Sequence, residues 1–328
     1  MKKYLYQIVL YLSLFPTIAI AQVAHSSSDS ITKGVRKYVA RNFSEARTIN
    51  LYWNTTPNRS YSLKQTGQII EDGEARDIHT INFSATVPIL LLKNISLYAN
   101  GQFNSYQFDS SKKDNSGESF FFTKNDGGYS FYEGSIAGNY RSKIGNKPVI
   151  LMATLLGDGW NKGFEKIHGA FSAIVILNQS NTSSFSVGLH GMTLYDKIPI
   201  VPIIAYSHQF TPNLSFDGVL PSRAYLRYQF KNNHRFSGGI SMASEQFYIS
   251  MSYEDLPKTS YFKKTSIRPE IVYEYIINRH FYLSARGGVS KLIKGGFYNT
   301  NRKEVGEYIK YTEPITPFFN IGFSYNIF

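Results

Sequence analysis

The sequence predicts an all-β chain, a single transmembrane antiparallel up-and-down β-barrel of about 14 strands, with 12 as the alternative count. Three observations predict it. The chain opens on an export leader. From about residue 49 onward, segments of roughly 8 to 14 residues alternate apolar and polar side chains, as strands tilted across a bilayer do. Aromatic residues make up 16% of the chain, more than soluble domains usually carry and in keeping with the two interfacial girdles of a barrel. No segment of comparable length shows helical periodicity.

The leader comes first. Lys2 and Lys3 form a positive start, Tyr4 to Ile18 is mostly apolar, and Ala19-Ile20-Ala21 is a small-x-small cleavage site. Cleavage is expected between Ala21 and Gln22. The expected organisation is a signal peptide (1–21), a polar periplasmic tail or lumen plug (22–45) and an outer-membrane barrel (46–328). The chain has no Cys, which excludes disulfides, thiolate metal sites and a lipid-modified cysteine anchor. The formal charge is +12, of which Lys2 and Lys3 leave with the leader. A basic balance serves nucleic-acid binding in some proteins. In an exported chain it fits the anionic lipopolysaccharide surface and small anionic solutes better, and no nucleic-acid partner is expected.

The strands follow in order. Ile49, Leu51 and Trp53 begin the first. Ile81, Phe83, Ala85 and Val87 alternate with polar residues in the second. Ile95, Leu97, Ala99, Gly101 and Phe103 do so in the third, and Tyr132, Ile136 and Tyr140 mark the fourth. Val149–Leu155 is more uniformly apolar. Phe171 to Leu177 and Phe185 to Leu189 continue the pattern. Short links near 91–94, 145–147, 178–183, 211–213, 231–234 and 278–280 alternate with longer ones near 64–75, 110–128, 157–166, 251–263 and 296–316. Short turns on one side and long loops on the other mark a membrane barrel, the short ones being periplasmic. Both termini are then periplasmic and the strand count is even. A tight outer turn at Leu220-Pro221-Ser222 brings the count to 14, because proline cannot donate within a central ladder.

The last strand carries the most specific signal. Phe319, Ile321, Phe323, Tyr325 and Ile327 alternate with Asn320, Gly322, Ser324 and Asn326. Asn320, Gly322, Tyr325 and Ile327 resemble the C-terminal signal read by the barrel-assembly machinery, with Phe328 one residue beyond its usual end. With the leader and the hairpin rhythm, the chain resembles the uncharacterised outer-membrane β-barrel families common in Bacteroidota, which are Gram-negative bacteria. That resemblance implies an outer-membrane location and contact with outer-membrane lipids. It implies no activity, since fold does not supply function.

Charge on the faces turned from lipid supplies the candidate site. Arg223 and Arg227 alternate with Ala224, Leu226 and Tyr228. Arg268, Glu270 and Glu274 alternate with apolar partners, and Arg286 follows after the next turn. On the lipid face such charges cost up to about 2–4 kcal/mol near the midplane, so they are expected to point inward. A hairpin centred on Arg279 sets Arg286 opposite Val272, diagonal to Glu270 and Glu274. These six residues read either as a charged constriction that selects solutes or as a salt-bridge network bracing the wall.

Enzyme candidates are weak. Tyr206-Ser207-His208-Gln209 resembles a stretch of outer-membrane phospholipase A in which a serine two residues after the histidine is the nucleophile. Here that position is Phe210, so the base has nothing to activate. His168 and His190 both alternate onto the lumen face, but strand pairing holds them about 13 Å apart, too far to share zinc. No catalytic residue, metal ligand or cofactor is therefore expected. The chain reads as a porin-like passive channel or small-solute transporter, or else as a structural or surface-binding barrel with a filled lumen.

Overall fold

The computed structural model describes residues 47–113, 119–121, 128–192, 200–250, 258–278, 280–300 and 309–327. The expected leader with Ala19, Ala21 and Gln22, and the expected tail-or-plug segment, lie outside the described residues, as do Arg279 and Phe328. Among the described residues every helix-or-strand element is a strand. They are β1 (Ile49–Thr56), β2 (Arg59–Gln65), β3 (Gln68–Leu91), β4 (Ile95–Lys112), β5 (Gly128–Ile144), β6 (Lys147–Trp160), β7 (Gly163–Gln179) and β8 (Ser183–Met192). There follow β9 (Ile200–Gln209), β10 (Leu214–Leu220), β11 (Arg223–Phe230), β12 (His234–Ser250), β13 (Thr259–Ile276), β14 (Phe281–Asn299), β15 (Ile309–Thr312) and β16 (Thr316–Tyr325).

Each strand from β3 to β14 pairs antiparallel with its chain neighbour, and β1 pairs with β16 to close the sheet. Both β1 and β2 pair with β3, and both β15 and β16 pair with β14. Each pair is therefore one wall position in two lengths, and the barrel has 14 positions. Leu220-Pro221-Ser222 separates β10 from β11, the turn on which that count depends.

The seam joins the two chain ends. Leu51 lies opposite Phe323, Tyr52 opposite Gly322 and Asn54 opposite Asn320. The Tyr52 ring covers Gly322 so closely that a Cβ there would sit 2.2 Å from Tyr52 Cδ1. Pro57 and Pro314 stand in the break between the paired lengths β1–β16 and β2–β15, where a missing N–H does no harm. Arg59 Nε lies 3.2 Å from Glu313 Oε2 and ties the break together.

The outward face is an apolar band. Leu51, Ile136, Leu155, Ile204, Ile271 and Ile321 are among its exposed residues, and Tyr140, Phe210, Tyr228, Phe236 and Phe281 ring its short-turn end. An exposed apolar surface of this extent is not stable in water and calls for lipid.

Two expected loops are strand instead. Residues 64–75 form a hairpin turning at Thr66-Gly67, where Gly67 takes φ +89. Residues 157–166 belong to β6 and β7 apart from Asn161 and Lys162. Trp160, at the end of β6, is buried and donates Nε1–H to Glu165 Oε1 at 2.7 Å. The reason is height. On the long-loop side the wall rises beyond the apolar band, so its outward residues include Asp72, Glu74 and Arg76, and they mimic loop composition.

Candidate functional site

The alternation that turns one face to lipid turns the other to the lumen, and the lumen is layered from the short-turn end outward. The lowest layer is ionic. Arg47 Nη2 donates to Glu274 Oε1 at 2.5 Å, and Arg235 Nε donates to Glu274 Oε2 at 2.7 Å. The Arg47 guanidinium also lies 3.8 Å from the Tyr282 ring centroid. Farther up the wall Arg227 Nη1 lies 2.6 Å from Asp217 Oδ1, and Arg223, which lines the cavity above, has Nε 3.5 Å from Asp217 Oδ2. Glu270 accepts from the Tyr225 hydroxyl and, at 2.8 Å, from the Ser241 hydroxyl. Glu274 and Asp217 are each buried, and such charges require these partners.

Arg286 lies opposite Val272, and its guanidinium sits 5.3 Å from the centroid of the Tyr52 ring. That register is the expected one, and Arg235 on β12 stands directly across from Glu274. Asp217, Arg235 and Arg47 were not singled out in the sequence. Asp217 and Arg235 had the signal to be found, a charge at the lumen parity of its strand.

Above this layer runs an amide ladder. Asn320 Nδ2 donates to Asn54 Oδ1 at 2.6 Å, Asn54 Nδ2 to Asn82 Oδ1 at 2.5 Å, and Asn82 Nδ2 to Asn104 Oδ1 at 2.8 Å. The chain crosses β16, β1, β3 and β4 head to tail, so each dipole polarises the next. It lines a cavity of about 410 Å³, whose other walls include Met152, Leu156, Met242 and Arg268. β6, β7, β9 and β10 present Ile150, Ile174, Ile176, Val201, Ile203 and Val219 as a buried apolar cluster. The lumen is thus polar on one side and apolar on the other.

A second ionic chain lies at the cavity's outer edge and alternates in sign. Glu313 joins Arg59 to Lys264 Nζ at 3.2 Å, Lys264 reaches Glu245 Oε2 at 2.9 Å, and Glu245 Oε1 accepts from Arg268 Nη2 at 3.0 Å. The Arg268 guanidinium also lies 4.9 Å from the Phe318 ring centroid.

Aromatic side chains form the outermost layer, a roof. The rings of Tyr129 and Phe247 stack at 4.3 Å, those of Phe247 and Phe262 at 4.8 Å, and Phe121 meets Phe262 edge-on at 5.3 Å. Phe121 follows β4 in the chain and reaches the roof through Glu71. The Glu71 carboxylate accepts from Ser119 Oγ at 2.8 Å, Phe120 N–H at 2.9 Å and the Tyr61 hydroxyl at 2.6 Å. Burial, with the Glu71 hydrogen bond, pushes the Tyr61 phenol above its ordinary pKa, so it stays a neutral donor.

The histidines fall into separate settings. His190 Nδ1 is hydrogen-bonded to Ser172 Oγ at 2.7 Å, four residues along β7 from His168. His168 instead meets Asp158 and Glu133, whose ligand atoms lie within 4.8 Å of one another and of its own. His208 stacks on Tyr206 and stands opposite Ser183 and Phe216. In the last strand Asn320 faces the lumen, Gly322 accommodates Tyr52, and Tyr325 and Ile327 lie on the opposite parity.

No protein-family profile and no curated protein sequence matches the chain. Among solved structures it is similar to an outer membrane channel from Pseudomonas putida F1, at 9% identity and TM-score 0.39, over 84% of this chain and 94% of that one. It is also similar to a FadL homologue from Pseudomonas aeruginosa, at 8% identity and TM-score 0.29, over 86% and 90%. A third is the outer membrane protease OmpT from Escherichia coli, at 10% identity and TM-score 0.30, over 85% and 96%.

Proposed function

We propose that this chain is an outer-membrane barrel that passes small polar solutes through its lumen, with the aromatic roof as its gate. The observation that carries the reading is the amide-lined cavity between an ionic layer and that roof. Amides offer both donors and acceptors without net charge, so they exchange hydrogen bonds with a hydroxylated or amide-bearing solute as readily as with water. The apolar residues across the cavity suit such a solute's less polar face. The apolar outer band and the aromatic ring at the short-turn end support membrane insertion.

The test is single-channel conductance of refolded protein in a planar bilayer. The roofed wild type is expected to show small or infrequent steps. Joint Phe121→Ala and Phe247→Ala substitution is expected to enlarge them severalfold, and Arg268→Gln to alter ion selectivity. A folded roof-truncated variant without steps sinks the channel reading.

That outcome would favour a second reading, a structural or surface-binding barrel with a filled lumen. The buried apolar cluster of Ile174, Ile176, Val201 and Ile203 speaks for it, since a water-filled pore would leave those side chains wet.

A further inference from the structure

We infer that Glu133, Asp158 and His168 form a binding site for a divalent transition-metal ion on the lumen wall. The three come from consecutive strands. Glu133 on β5 is the direct cross-strand partner of Asp158 on β6, and His168 on β7 lies opposite Leu156, two residues along from Asp158. All three have lumen parity, so the pleat aims three potential ligands at one point. One ligand atom from each lies within 4.8 Å of the other two, and His168 Nδ1 is 3.8 Å from Asp158 Oδ2. A metal held at about 2.0–2.2 Å from each ligand needs the three within about 4.2–4.4 Å of one another, so small side-chain rotations complete the set.

A second observation concerns Asp158. The Tyr248 hydroxyl, on the far strand β12, donates to Asp158 Oδ1 at 2.6 Å. This leaves Oδ2 as the oxygen turned toward His168. An outer hydrogen bond that orients a carboxylate is how proteins hold a ligand in place for a metal. Glu133 also lines the 410 Å³ cavity, so an ion has an approach from the lumen and room for water or solute on its open side.

The donor set is one imidazole and two carboxylates. Its mixed nitrogen and oxygen character fits Zn²⁺ or Mn²⁺ better than a cation that prefers oxygen alone, and Lys166, directly across from Asp158, is the cation such an ion would displace. Because Tyr248 neighbours Trp160 and Tyr261 in the roof, a bound ion would stiffen the contact between roof and wall.

The experiment is isothermal titration of the refolded, chelator-treated full-length barrel with Zn²⁺ and, separately, Mn²⁺. One ion per barrel is expected in the wild type. Glu133→Gln and His168→Ala should each weaken binding at least tenfold, while His190→Ala leaves it unchanged. Heat-modifiable gel migration verifies that each variant is folded, and Glu133→Gln, which keeps shape and alters only charge, serves if His168→Ala does not fold. No saturable binding by the wild type overturns the inference, as does equal binding by wild type and Glu133→Gln. Binding lost in His190→Ala places the ion elsewhere and overturns it too. Conductance plays no part in this measurement, so its outcome is independent of the channel reading.

Discussion

The two ends of the lumen are lined by different physics. At the short-turn end, Glu274 is held between Arg47 and Arg235. At the other end Phe121, Tyr129, Phe247 and Phe262 pack ring against ring. An ionic layer is directional, and removing one member leaves its partners buried with uncompensated charge. An aromatic layer is the sum of many small contacts and can loosen locally without collapse. The floor therefore belongs to the barrel's overall stability and the roof to its local opening.

The largest effect expected on this view is at the floor. Glu274→Gln leaves Arg47 and Arg235 without their shared anion and should cost about 3–5 kcal/mol, read as a lower urea midpoint of the refolded barrel. A midpoint equal to wild type would mean that floor and roof do not differ as described. Phe121→Ala removes a comparable amount of locally buried side chain, about 3–5 kcal/mol by analogy with other cores. Its effect should appear as faster hydrogen exchange in the roof and freer conductance, with little change in the global midpoint. A global loss as large as that of Glu274→Gln would erase the distinction. Asn82→Ala breaks the amide ladder in its middle and should cost about 1 kcal/mol while shortening the dwell of polar solutes in the lumen. Smallest is Arg76→Ala. Its pair with Glu74 is exposed on the outer rim, and no resolvable change in the midpoint is expected.

The wall was legible in the sequence because lipid on one side and lumen on the other impose period two over whole strands. Pro221 settled the count through a simple donor argument. The tall outer hairpins were not legible, because beyond the lipid the outward face turns polar. Asp72 and Glu74 then look like a loop although they sit in a paired strand. The inward parity of Arg223, Arg227, Arg268, Glu270, Glu274 and Arg286 could be read from alternation. Their partners could not, since Glu274 chooses Arg235 through a cross-strand register and Arg47 from outside any strand. The grouping of Glu133, Asp158 and His168 was hidden for the same reason. It spans three strands, and pairing two histidines by distance alone passed over the carboxylates on the next two.

The broken seam has a consequence for how the wall comes apart. The β1–β16 length extends from Ile49 to Thr55, while the β2–β15 length involves only Lys64, Leu63 and Ser62 on the β2 side. Two zips on one garment part separately when the fabric between them is not stitched. The amides of Ile309–Thr312 should accordingly exchange with solvent in an opening event of their own, with Arg59 and Glu313 as the clasp that sets its frequency.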